Sequence, residues 1–157
     1  DKSYCEGKKK MDSYNLGVLK FKERLCMNSH ILPRLKTELL TKLRKEREGE
    51  IIDRPLVSDT LRMFVELDEC EASCRCSLYY AHFEREFLEE THSFYGNESE
   101  MYITQNSVPE YLIRAEKRLI EEHERADAYI PKHDTKHALI KAVEFELIGR
   151  YKETLVD

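Results

Sequence analysis

Three cysteines lie close together in the middle of the chain, at Cys70, Cys74 and Cys76, and His82 and His92 follow them. Thiolates and imidazoles are preferred zinc ligands, but structural zinc sites usually contain two closely spaced ligand pairs. This cluster has no clean second pair. We therefore expect reduced thiols in a loop and no bound metal, and a zinc-dependent enzyme is the least favoured alternative.

Other titratable residues also occur at spacings that could support chemistry. Glu89–Glu90 and Glu121–Glu122 could act as paired carboxylates, and His133 and His137 could bind a metal from one helix face. Adjacent charges more often solvate a helix, however, and no further metal ligands are visible. Phosphate-binding glycine loops, zinc-protease motifs and nucleophile elbows are absent. The sequence thus predicts no catalytic site, no metal and no cofactor.

The composition favours long helices with charged outer faces. Of the 157 residues, 36% are charged, while glycine and proline together number nine. The net charge of −5 does not favour a nucleic-acid partner, and no apolar run is long enough to span a membrane. Five cysteines without a secretory signal indicate a reducing compartment.

Apolar residues recur every three or four positions along most of the chain, which predicts five or six helices and no strands. Short loops between long helices favour an antiparallel bundle. Three apolar stripes are predicted to form core. The first is Leu32, Leu35, Leu39 and Leu43; the second is Phe83, Phe87, Thr91, Phe94, Glu98 and Met101; the third is Leu112, Ala115, Leu119, His123 and Ala126.

Several residues predict where these helices begin and end. Ser107 and Glu110 form a capping-box pattern, and Gly49 is typical of a helix stop. Ser29 is predicted to cap one helix, and Asp134 or Thr135 the last one, which carries Leu139, Val143, Leu147 and Tyr151. Residues 68–73 are predicted to form a loop. The charged residues after Ser107 are expected to point mostly outward, Glu122 and Arg125 among them.

Three stretches resemble, in order and spacing, three motifs of the cullin family. The first is LRKEREGEIIDR at 43–54, the second FEREFLEET with FY and ES at 83–99, and the third SVPEYL with AEKRL, EE and R at 107–125. The segments DKSY at 1–4 and SYNLG at 13–17 are most similar to the branch that binds BTB-domain adaptors. Residues 68–76, in contrast, depart from the short connection of that branch.

The resemblance implies an all-α, elongated, solenoid-like stack of cullin repeats. Residues 1–52 would be the rear part of a first repeat and residues 53–157 most of a second. Cullins are the non-catalytic scaffolds of RING ubiquitin ligases, so the chain would hold a substrate adaptor, with a BTB protein favoured, at a fixed distance from the RING end. The RING-box subunit would bind only through a C-terminal domain that lies outside these residues.

The resemblance also assigns one site residue and leaves one alternative open. Tyr4 is expected to contact the adaptor, on the second of two contact helices; the first would precede Asp1. A chain that begins with Asp is expected to be a fragment or a processed product. The alternative is a truncated cullin-like interaction module without ligase activity. The family further implies a location in the cytoplasm and nucleus.

Overall fold

The computed structural model describes residues 17, 20–21, 23–25, 30–69 and 77–156. Within these residues the protein is all-α and contains no strand, as predicted. The helices are α1 (Ile31–Arg47), α2 (Arg54–Glu69), α3 (Arg85–Gln105), α4 (Val108–Tyr129), α5 (His133–Leu147) and α6 (Lys152–Val156). A π-helical segment, Tyr80–Glu84, precedes α3, and a 3₁₀ turn, Gly149–Tyr151, precedes α6.

The chain divides into two compact units. The first unit comprises Asp1–Asp53 and Asp59–Phe83, and the second comprises Arg54–Ser58 and Glu84–Asp157. The boundary between cullin repeats at residues 52 and 53 stays a prediction, because compact units and repeats are different divisions.

In the first unit, α1 presents its predicted leucine stripe to the core and then stops at a glycine. Leu32, Leu39 and Leu43 are buried. Gly49 has a φ of 103°, a left-handed conformation that costs other residues free energy. Its amide donates to the carbonyl of Glu46, and the next amide, that of Glu50, donates to Lys45. This pair of hydrogen bonds is a Schellman motif, so the predicted stop is confirmed.

The start of α1 differs from the predicted one. His30 occupies the position before the helix, and its side chain makes no capping hydrogen bond. Ser29, the predicted cap, lies outside the described residues. The same holds for most of the helix predicted before it, although the described residues there, such as Phe21 and Leu25, are helical.

The end of α2 is joined to the next helix by one carboxylate. Asp68 accepts hydrogen bonds from the amides of Leu78 at 2.7 Å and Tyr79 at 3.0 Å, and from the hydroxyl of Ser77 at 2.9 Å. It therefore caps the following helix from ten residues away. Residues 68–73 were predicted to form a loop. That prediction was wrong at Asp68 and Glu69, because α2 continues through Glu69. Cys70, Cys74 and Cys76 lie outside the described residues.

In the second unit, α3, α4 and α5 pack together, with the closest association between α3 and α5. Tyr95, Leu139 and Val143 are among its fully buried residues. At Gly96, a Cβ atom would lie 3.1 Å from Oε2 of Glu146. Because that distance is shorter than ordinary van der Waals contact, the glycine leaves room for the Glu146 carboxylate against α3.

The face that α4 buries is rotated from the predicted one. Ala115 and Ala126 are buried as expected, but Leu112 is 40% exposed and His123 is also exposed. Tyr111, Glu122 and Tyr129 are buried in their place. The misassignment arose because Glu122 and Arg125, both predicted to point outward, are buried; a charged residue at a core position masks the hydrophobic period.

Two further expectations about the second unit were wrong, and others were confirmed. Met101, the last member of the stripe predicted to form core, is 63% exposed. The last long helix begins at His133 after Lys132, and no side chain caps it; the hydroxyl of Thr135 instead donates to Glu84. The capping box at Ser107 and the buried Leu139, Val143 and Leu147 are confirmed.

We expect Asp68→Ala to lower the free energy of unfolding by about 1–2 kcal/mol, because the variant leaves two helix-start amides without their carboxylate acceptor. Urea unfolding followed by circular dichroism measures the change. Asp59→Ala, on the exposed side of the same helix, is the matched control and should change it by less than about 0.5 kcal/mol. Equal effects of the two substitutions would contradict the capping role.

Candidate interaction site

Tyr4 is the residue that the family resemblance assigns to the adaptor interface. Tyr4 lies outside the described residues, as do the three clustered cysteines. The geometry that can be described consists of charged side chains that join the helices of the second unit. These contacts decide how rigidly the second unit is held together.

The first of these contacts is an ion-pair cluster between α3 and α4. Glu98 accepts hydrogen bonds from Arg118 Nη2 at 2.6 Å and from Arg114 Nη2 at 2.5 Å. Burial alone would raise the pKa of Glu98, but hydrogen bonds and charge from the two arginines outweigh it and hold the pKa below its ordinary value. The Arg114 guanidinium also lies over the ring of Tyr102, 4.7 Å from its centroid.

The second contact lies deeper, at a carboxylate that is almost completely removed from water. Glu122 is 1% exposed; it accepts a hydrogen bond from the hydroxyl of Tyr95 on α3 at 2.6 Å and another from Arg125 Nη1 at 2.9 Å. A buried charge without partners would be strongly destabilising, so these hydrogen bonds offset the cost of burying the carboxylate.

The third contact joins α3 to the end of α5. His92 Nδ1 lies 3.0 Å from Glu146 Oε1, and Arg150 Nη1 donates to Glu146 Oε2 at 2.9 Å. This carboxylate is the group that lies against Gly96. His92, which sequence analysis considered as a metal ligand, therefore makes a helix-to-helix contact in the structure.

The carboxylate pairs considered for catalysis take part in ion pairs and hydrogen bonds of their helices. Glu121 and Glu122 have different environments, since Glu121 pairs with Arg118 at 3.0 Å and Glu122 is held in the core. Glu89 is exposed and lies 3.5 Å from Arg85 of its own helix.

His133 and His137 lie exposed on α5. In the described part of the chain, no three histidine, cysteine, aspartate or glutamate side chains come together as metal ligands. None of the helices described there combines the length and apolar character needed to cross a membrane.

These arrangements were missed from the sequence for a clear reason. Glu98 lies on the second predicted core stripe, but Glu122 and Glu146 lie among other glutamates of their helices, and their residue type alone does not distinguish them. The available signal was position: Glu122 follows Ala115 by seven residues and precedes Ala126 by four, on one helix face.

Comparison with known proteins decides the family. The family model "Cullin alpha solenoid domain" matches residues 1–157. The chain belongs to the cullin family. It is 36% identical to Cullin-3B of Arabidopsis thaliana over 157 residues, 33% identical to Cullin-3A of the same plant over 156, and 31% identical to Cullin-3 of Dictyostelium discoideum over 157. The matches cover 99–100% of this chain and 20% of each relative, so the chain spans about a fifth of their length.

We expect Glu98→Gln to lower the free energy of unfolding by roughly 1–3 kcal/mol at neutral pH, because two arginines lose their ionised acceptor. A carboxyl whose pKa is lowered by folding stabilises the fold above its unfolded pKa, near 4.5, and loses that stabilisation as the pH falls further. The difference between the wild-type chain and the variant should therefore shrink below about pH 4.5. Urea unfolding over a pH series measures it.

Glu89→Gln is the matched control, because Glu89 is an exposed glutamate on the same helix. Its effect should be small at every pH, as expected of an exposed ion pair. A Glu98→Gln penalty that is unchanged at acid pH would show that the ionised Glu98 is not the source of the stabilisation.

Proposed function

We propose that the chain is a non-catalytic scaffold segment of a cullin–RING ubiquitin ligase. The observation that carries the proposal is the match of the cullin α-solenoid model to all 157 residues. Relatives from a plant and a slime mould, both named Cullin-3, support the assignment to that branch. The chain would contribute position and stiffness to the complex and no reacting group.

The packing of the second unit is suited to this role. A scaffold raises the effective concentration of two partners only if it is stiff enough to hold them at a suitable distance from each other. Charged contacts at Glu98, Glu122 and Glu146 tie α3 to α4 and to α5, in addition to the apolar core. Hydrogen-bonded networks between helices favour one arrangement of those helices.

The partner of this segment would be a BTB-domain substrate adaptor. Tyr4 would take part in that contact, since an aromatic side chain with a polar tip is a common interface anchor. The RING-box subunit would bind elsewhere in the assembled cullin, and the complex would act in the cytoplasm and nucleus.

A chimera tests this function directly. The part of Arabidopsis Cullin-3B that matches this chain would be replaced by the chain, and the chimera assembled with a RING-box subunit, ubiquitin-conjugating enzyme and BTB adaptor. We expect it to bind the adaptor and to support ubiquitin transfer to an adaptor-bound substrate within about tenfold of the parent protein. Tyr4→Ala in the chimera should weaken adaptor binding at least tenfold, as for an interface anchor.

Tyr80→Ala is the matched control, because Tyr80 is a 55% exposed tyrosine outside the assigned interface, and it should leave adaptor affinity unchanged. A chimera that folds but neither binds the adaptor nor supports transfer would contradict the scaffold proposal and favour an interaction module without ligase activity.

A further inference from the structure

The last long helix of the second unit stops without any of the usual stop signals. α5 ends at Leu147, and Ile148, with φ −121° and ψ −49°, leaves the helical conformation. The chain then forms one 3₁₀ turn and a new helix, α6. No proline lies between residues 133 and 156. Gly149 does not have a positive φ, so the left-handed glycine stop used after α1 is not used here.

Hydrogen bonding shows what has replaced the continuous helix. In an α-helix the amide of Tyr151 would donate to the carbonyl of Leu147, four residues earlier. It donates instead to the carbonyl of Ile148 at 3.0 Å. The Leu147 carbonyl accepts a hydrogen bond from the hydroxyl of Tyr111, which comes from α4.

We propose that the Tyr111 hydroxyl is the device that ends α5, by taking the Leu147 carbonyl from the Tyr151 amide and so forcing the chain to turn before α6. Helix kinks commonly arise where a side chain inserts into the ladder of backbone hydrogen bonds. We call this pair, the Tyr111 hydroxyl and the Leu147 carbonyl, the helix stop.

The surroundings hold Tyr111 in place for this role. The side chain is 1% exposed, and its ring packs edge-on against the ring of Tyr151, with centroids 6.0 Å apart. The Tyr151 hydroxyl in turn lies 3.2 Å from the hydroxyl of Ser99 on α3. Burial raises the pKa of Tyr111 to about 12, so the hydroxyl retains its proton and can donate at neutral pH.

The helix stop sets the direction in which the chain leaves the packed helices. With the stop, α5 and α6 are two helices joined by a 3₁₀ turn; without it, residues 133–156 could continue as one straight helix. The inference concerns the fold of the second unit and is independent of the proposed ligase function.

Nuclear magnetic resonance of the isotope-labelled chain tests the inference. Scalar couplings across hydrogen bonds identify the carbonyl that each amide contacts, and Cα chemical shifts report the local conformation. The wild-type chain should show coupling from the Tyr151 amide to the Ile148 carbonyl. In Tyr111→Phe that coupling should be lost and replaced by coupling to the Leu147 carbonyl, while the shifts of residues 148–151 move to α-helical values.

Two further variants make the result decisive. Tyr129→Phe also removes the hydroxyl of a buried tyrosine on α4, and it should leave the couplings at Leu147 and Ile148 as in the wild-type chain. Gly149→Ala replaces a poor helix former by the best one while keeping Tyr111, and the break should persist in it. The proposal is wrong if folded Tyr111→Phe keeps the Ile148 coupling, or if Gly149→Ala alone makes the helix continuous. If Tyr111→Phe does not fold, the Gly149→Ala result decides between the two explanations.

Discussion

A carboxylate that is removed from water needs partners, and Glu122 finds them on two helices at once. Tyr95 reaches it from α3, and Arg125 reaches it from one turn further along α4. The Tyr95 contact favours one register of the two helices, because sliding one along the other would remove a hydrogen bond from the buried carboxylate. The Glu98 cluster and the contact between Gly96 and the Glu146 carboxylate lie along the same helix α3.

This constraint links the packing to the proposed scaffold function. Apolar side chains alone tolerate small shifts between helices, since many arrangements bury similar area. Charged groups with fixed hydrogen-bond geometry do not tolerate such shifts, because a misaligned pair loses its hydrogen bonds. The free-energy cost of misalignment therefore favours one arrangement of the helices. A segment that holds an adaptor at a set distance benefits from such selectivity more than from additional stability.

Much of this fold could be predicted from the sequence, and the failures share one cause. The Gly49 stop, the Ser107 capping box and three of the four leucines in the α1 stripe are local signals, and each was confirmed; the fourth, Leu35, is half-buried. Two features were not predicted because they depend on residues distant in the sequence. Asp68 accepts a hydrogen bond from Leu78, ten residues later, and Glu122 is buried among side chains of other helices. The family was evident from three ordered motifs, whereas the role of Tyr4 stays a prediction.

The central claim is that α3, α4 and α5 form one cooperative block. Native-state amide hydrogen exchange tests it most directly, because it gives an opening free energy for each amide. The account predicts that Tyr95, Glu122 and Val143, one on each helix, exchange with the same opening free energy, equal to that of unfolding the block. An opening free energy for Val143 that is several kcal/mol below those of Tyr95 and Glu122 would show that α5 detaches independently, and would contradict the claim.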